Sequence, residues 1–201
     1  MRLYSMPSSG NSYKVHLLLA LTGRKVELID VPAASAALDD AKATGALPFG
    51  RAPALVLDDG TTLPESGAIL WYLAQGTRFI PADPLEQSRM LAWMFWEQYS
   101  HEPVIAVRAA LRRYPDRAAQ ATPERLADLL ERGHAVLDQL DQGLTGRDWL
   151  VGDGPTLADI ALYAYTHEAG ARGGYDMTRY PAIAAWLDRV AALPGYEGID
   201  A

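Results

Sequence analysis

The chain changes character once, and that change limits the fold more than any other feature. Up to about Gln75, short strand-like runs alternate with helix-like ones; beyond "GTRFIPADP", Gly76–Pro84, only helical periodicity remains. Alternation of that kind builds an α/β layer, whereas a long tract without strands builds a packed set of helices. A chain of 201 residues holds one good core or two small ones. The expected fold class is therefore α/β plus all-α. Residues 1–76 form the α/β domain, 77–84 a linker containing Gly and Pro, and 85–201 an all-helical domain.

Within the first part, Arg2–Ser5 is a short extended run and Ser12–Leu21 is apolar on most faces, as a helix lying on a sheet would be. Gly23 then reads as a helix stop. "KVELID", Lys25–Asp30, alternates polar with apolar and predicts a strand with one buried face. An alanine-rich helical stretch follows over Ser35–Thr44. Ala54–Leu57 and Thr61–Leu63 flank "DDG", a hairpin signal, and Glu65–Gln75 closes the unit as a helix.

The second part keeps a three- and four-residue apolar spacing in Leu126, Leu129, Leu130, Leu137 and Leu140, and again from Ile183 to Leu193. Thr122-Pro123 reads as an N-cap with proline at the first helical position, and Pro103 should kink or interrupt its helix. "TLAD", Thr156–Asp159, is a capping box with aspartate in the usual glutamate position, and its expected role is in folding.

Several kinds of chemistry are excluded early. The chain has no cysteine, which removes disulfides, thiolate zinc sites and any redox thiol of its own. Its four histidines, at 16, 101, 134 and 167, have no metal-ligand spacing, so no metal is expected. A formal charge of −7 without a Lys/Arg block speaks against nucleic acid or an anionic membrane as partner. No run of 18 apolar residues occurs and no signal segment precedes the first strand; the expectation is a soluble cytoplasmic protein.

Three stretches could carry chemistry. "PSSGNSYKV" puts serines, a glycine and an asparagine at a helix mouth, where free N–H groups and hydroxyls suit an anion, or where they simply cap the helix. Ala52-Pro53 stands directly before a strand, so it marks an edge, a strand start or a cis turn; a cis bond would leave the Ala52 backbone open to an extended ligand. Glu65-Ser66 opens another helix, again as a cap or as a clamp for a ligand carboxylate and ammonium. Taken together they would suit a short peptide with a thiol in its middle and a free amino acid at one end.

With these pieces in order, the chain resembles the cytosolic glutathione S-transferases, and bacterial members with a serine-type opening in particular. The likeness runs through "SSGNSYKV", "APALVLDDG", "PESGAILWYLA", "WMFWEQYSHEP" and "GPTLADIAL", and covers essentially the whole sequence. It implies a thioredoxin-like N-terminal domain, an all-helical C-terminal domain carrying an electrophile pocket, and a homodimer acting in detoxification. Glutathione would be a co-substrate, with no prosthetic group. Pro53 would be cis, Ala52 would pair its backbone with the cysteinyl part of glutathione, and Glu65 and Ser66 would take the γ-glutamyl end. Arg51 is a candidate for the glycyl carboxylate.

The same likeness places Ser9 at the catalytic position, as a donor to the glutathione thiolate and not as a nucleophile. Asn11 and Ser12 rank second, and Tyr4, in the strand, is weaker. Tyr99, His101 and Tyr163 are expected in the electrophile pocket. The implied activity is transfer of glutathione to small hydrophobic electrophiles; glutathione-dependent reduction of peroxides or disulfides, and a non-catalytic glutathione-binding regulatory module, are the alternatives.

Overall fold

The computed structural model describes residues 1–199. They form two compact units: Met1–Ile80 together with the segment from Leu193, and Pro81–Ala192.

The first unit is built on a mixed four-stranded sheet of β1 (Arg2–Ser5), β2 (Glu27–Asp30), β3 (Ala54–Val56) and β4 (Thr62–Pro64), in the order β2-β1-β3-β4. β1 and β2 are parallel, and β3 runs antiparallel to both β1 and β4. Three helices belong to it: α1 (Gly10–Thr22), α2 (Ala36–Ala43) and α3 (Ser66–Leu73). Side chains alternate along β1. Ser5 meets His16 of α1, so Leu3 and Ser5 point toward α1. Tyr4 packs instead with Leu38 and Ala41 of α2, on the opposite face. α1 and α3 lie against each other.

The sequence accounts for the helix ends. Ser9 caps α1, and Gly23 at φ 64 stops it by returning its N–H to Ala20 and Leu19. The α1 interior is almost wholly buried, which is why its sequence shows no polar stripe.

The segment from Leu193 groups with this first unit and not with the helices before it. The Tyr13 hydroxyl donates to the Glu197 carbonyl at 2.7 Å. Gly195, at φ 84, approaches α1 so closely that a Cβ there would stand 2.8 Å from the Ala20 carbonyl oxygen. Short apolar periodicity carries no record of such long-range docking, so the expected all-helical domain over 85–201 overran it.

The second unit holds α4 (Pro84–Trp96), α5 (Glu102–Arg113), α6 (Pro123–Leu144), α7 (Leu157–Thr166) and α8 (Pro181–Ala191). A π-helical turn, Glu97–His101, joins α4 to α5. Pro103 therefore sits in the first turn of α5, where its missing N–H costs little, and the chain widens before it. Thr122 caps α6 with Pro123 at its start. Thr156 and Asp159 form the reciprocal capping box. Asp159 has no exposed surface and also accepts from Leu150 N and the Trp186 indole, tying α7 to α8. Among the described residues, no helix is long and apolar enough to cross a membrane.

Candidate functional site

Strand register brings the three sequence stretches together. Tyr4 pairs with Ala54, so the turn that leaves β1 lies beside Ala52 and Pro53 as they enter β3. Ala54 also pairs with Pro64, which puts Glu65 and Ser66, just past β4, at that same end of the sheet. The Ala52–Pro53 bond is cis.

The opening turn is tightly specified. Ser9 N–H returns to the Met6 carbonyl at 3.1 Å, and Ser8 sits at φ 64, a backbone conformation uncommon outside glycine. Ser12 is 1% exposed and its hydroxyl accepts the Met6 N–H at 3.0 Å, so it pins the turn to the helix. Ser9 accepts the Ser12 N–H only across 3.5 Å and stays half-buried, with its O–H proton available to a ligand. Position alone thus separates the two serines: one closes the turn, and the other lines it.

Asn11 joins two helix starts. Its side-chain oxygen accepts from Lys14 Nζ at 2.7 Å and from the Ser66 hydroxyl at 3.4 Å. Lys14 is 1% exposed, an ammonium buried beside the site, which the sequence reading missed. Its only signal was a lysine in a mostly apolar stretch, "YKVHLLLAL".

Glu65 departs from a capping role. It occupies the N-cap position of α3 at φ 70 and ψ 120, makes no side-chain cap bond, and is exposed. That φ is one non-glycine residues rarely adopt, and the side chain is left exposed. α1 has no acidic residue at its cap or in its first turn, so its positive dipole end stays uncompensated, whereas the α3 start carries Glu65 at its N-cap. Arg51 is exposed on the loop just before Ala52. Tyr4 packs into the core cluster on the α2 face, away from this turn.

The three residues expected in an electrophile pocket divide. Tyr99 is 87% exposed. His101, fully buried, meets the Thr166 hydroxyl at 3.0 Å, and Tyr163 stacks on His167 and packs edge-on to Trp186. These two are interior side chains of the helical unit, because the α4–α5 face that carries His101 is covered by α7. Among the described residues, no group of three or more His, Asp or Glu gathers as a metal site.

A thioredoxin-like unit with an anion-receptive sheet end, continued by a helical domain, is the class of protein that this fold and site define. The family model for the glutathione S-transferase N-terminal domain matches residues 3–77, and that for the C-terminal domain matches residues 123–189. The crystal structure of a glutathione S-transferase from Xanthobacter autotrophicus Py2 is 46% identical with a TM-score of 0.90, over 98% of this chain and 96% of that one. A sphingomonad glutathione S-transferase solved with glutathione is 30% identical with a TM-score of 0.80, over 97% and 94%. The disulfide-bond oxidoreductase YfcG of Escherichia coli is 28% identical over 96% of this chain and 90% of its own. The chain belongs to the glutathione S-transferase family.

Proposed function

We propose that the protein is a glutathione transferase in which Ser9 donates a hydrogen bond to the glutathione thiolate, which then attacks small hydrophobic electrophiles. The observation that carries this reading is the meeting of the Ser9 turn, Ala52-Pro53 and Glu65-Ser66 at one end of the sheet. Glutathione presents an anionic sulfur, a peptide backbone and a γ-glutamyl head, and those three stretches offer a hydroxyl donor, a strand-like edge and a carboxylate–hydroxyl pair. Arg51 takes the glycyl carboxylate.

The energetics suffice without a metal or a general base. A free thiol has a pKa of about 8.5, and lowering it by about two units needs about 2.7 kcal/mol. One hydrogen bond to a charged group supplies about 1.5–3 kcal/mol. The uncompensated start of α1 adds about 0.3–1 kcal/mol.

Of the three residues expected in the electrophile pocket, exposed Tyr99 is the one that the pocket draws on. The working form is a cytoplasmic homodimer engaged in detoxification. Exposed Phe49 and Tyr72 on the first unit and Phe95 on the second, at 64%, 45% and 69%, supply apolar surface for the dimer contact.

Reduction of disulfides by the same thiolate is the second reading, favoured by the likeness to the Escherichia coli oxidoreductase. A panel of aryl halides, peroxides and glutathionylated disulfides decides between them. Conjugation exceeding reduction supports the transferase, and the reverse order supports the reductase. Tight binding of S-hexylglutathione with no turnover of any of them would leave only a binding module.

A further inference from the structure

On the α1 face of the first unit lies a cleft of about 490 Å³, bounded by the opening turn, the end of β2 and the segment around Glu197. At its floor, Ser5 Oγ and His16 Nε2 are 2.6 Å apart. That is the separation of a nucleophile and its base. Both groups are held firmly. Ser5 is 2% exposed and fixed in the ladder by Val31 N–H at 2.8 Å to its carbonyl, and His16 projects from the second turn of a buried helix.

Acidic groups stand around the pair. Ser5 and Asp30 are register partners on parallel strands, so their side chains leave the sheet on the same face. Asp30 and Glu197 both line the cleft, and none of its lining residues is a lysine or arginine. Burial holds the His16 imidazole below its ordinary pKa, against the smaller opposing pull of the Asp30 and Glu197 carboxylates. The imidazole is therefore neutral at neutral pH and free to accept a proton, while the two carboxylates favour the imidazolium that forms. Ser9 and Ser12 also line the cleft, and Ser12, already accepting from Met6 N–H, keeps its own O–H to donate. Those hydroxyls are donors for a developing oxyanion.

We propose that Ser5 and His16 form a second reactive centre, which hydrolyses small carboxylic esters and thioesters bearing a cationic group. Ser5 Oγ attacks the carbonyl carbon as its proton passes to His16 Nε2. The bond to the leaving group breaks, and that proton goes to the departing alkoxide or thiolate, leaving acyl-Ser5. Water then adds to the acyl carbon and gives its proton to His16. The acyl–Ser5 bond breaks, Ser5 recovers the proton, and the carboxylic acid is released. The substrate's cation sits between Asp30 and Glu197, with Leu28 and Ile199 as apolar walls.

This centre does not depend on the glutathione reading, and its test contains no glutathione. The full-length protein is treated with a fluorophosphonate probe and digested, and the adduct is mapped by mass spectrometry; the expected site is Ser5. Hydrolysis of acetylthiocholine is compared with that of its neutral isostere, S-3,3-dimethylbutyl thioacetate. The cationic substrate should be favoured at least fivefold, and the preference should vanish in Asp30→Asn/Glu197→Gln. Ser5→Ala and His16→Gln should each lower hydrolysis at least tenfold. Mapping uses the unaltered protein, so a variant that folds poorly does not decide the matter. An adduct on Ser8 or Ser9, no adduct at all, or hydrolysis unchanged in Ser5→Ala would overturn the proposal.

Discussion

The Ser66 hydroxyl donates to the Asn11 side-chain oxygen across 3.4 Å, and this contact ties the first turn of α3 to the first turn of α1. Two helix starts 55 residues apart in sequence thereby share one polar junction, with Lys14 behind it at 2.7 Å from the same oxygen. In the proposed glutathione site, this junction lies at the γ-glutamyl end.

Glu65 should trade stability for binding. Its φ of 70 suits glycine, and a residue held there costs about 1–3 kcal/mol. Glu65→Gly should therefore raise stability by about 1 kcal/mol in denaturant unfolding. It should also weaken glutathione binding about tenfold to a hundredfold, the loss of one charged hydrogen bond, as calorimetry would show. A variant that is less stable yet binds normally would assign Glu65 to the fold.

The two serines of the opening turn should separate by readout. Ser12→Ala leaves the half-buried Met6 N–H without its acceptor and should cost about 1–3 kcal/mol of stability. Ser9→Ala removes a cap bond that is already long at 3.5 Å and should cost about 0.5 kcal/mol. Chemical unfolding of both variants checks the order, and a reversed order would exchange their roles.

Much of this was legible in the sequence, for identifiable reasons. Caps and breakers act locally, so Gly23, Thr122 and Thr156 marked helix ends from their own neighbourhoods. The opening turn offered Ser9, Asn11 and Ser12 alike, and only the structure selects Ser9 as the cap of α1. The three candidate stretches were legible because each joins a strand end to a turn. What the sequence withheld are partners set by tertiary contact. The apolar pattern of α1 did not show that His16 meets Ser5 or that Lys14 meets Asn11. The π-helical turn before Pro103 was hidden too, since proline signals a break but not how the preceding turn widens to meet it. Nor did periodicity show that the segment after α8 returns to α1.

The capping box of α7 should matter to folding alone. Asp159 is fully buried and accepts from Thr156 N at 2.8 Å, Leu150 N at 3.1 Å and Trp186 Nε1 at 2.9 Å. Asp159→Ala strands those donors and should cost about 3 kcal/mol or more, whereas Thr156→Ala should cost about 1 kcal/mol. In both, kcat/KM per folded molecule should stay within about twofold of wild type. A larger fall without loss of stability would place α7 in the chemistry.

Stability should fall with acid, in part through His134. Its Nδ1 lies 2.6 Å from the Tyr180 hydroxyl, whose own pKa burial pushes up to about 12. Burial holds the His134 imidazole below its ordinary value, assisted by the Arg179 guanidinium and opposed by Asp138 and Asp176. The folded protein therefore binds this proton more weakly than the unfolded chain does. The stabilising contribution is complete above the unfolded value of about 6.5 and is lost as pH falls through and below it. His134→Gln should flatten the slope of unfolding free energy against pH between about 7 and 5. His16, displaced in the same direction, should account for part of the slope that remains. An unchanged slope in His134→Gln would assign the acid sensitivity elsewhere.

Ultraviolet titration of glutathione bound to the protein, reading thiolate absorbance against pH, tests the proposed role of Ser9 most directly. The bound thiol should titrate about two units below the free value of about 8.5. In Ser9→Ala, glutathione should still bind and its pKa should rise by about one to two units. A wild-type thiol that titrates at its free value, or a lowered pKa that Ser9→Ala leaves in place, would contradict the account.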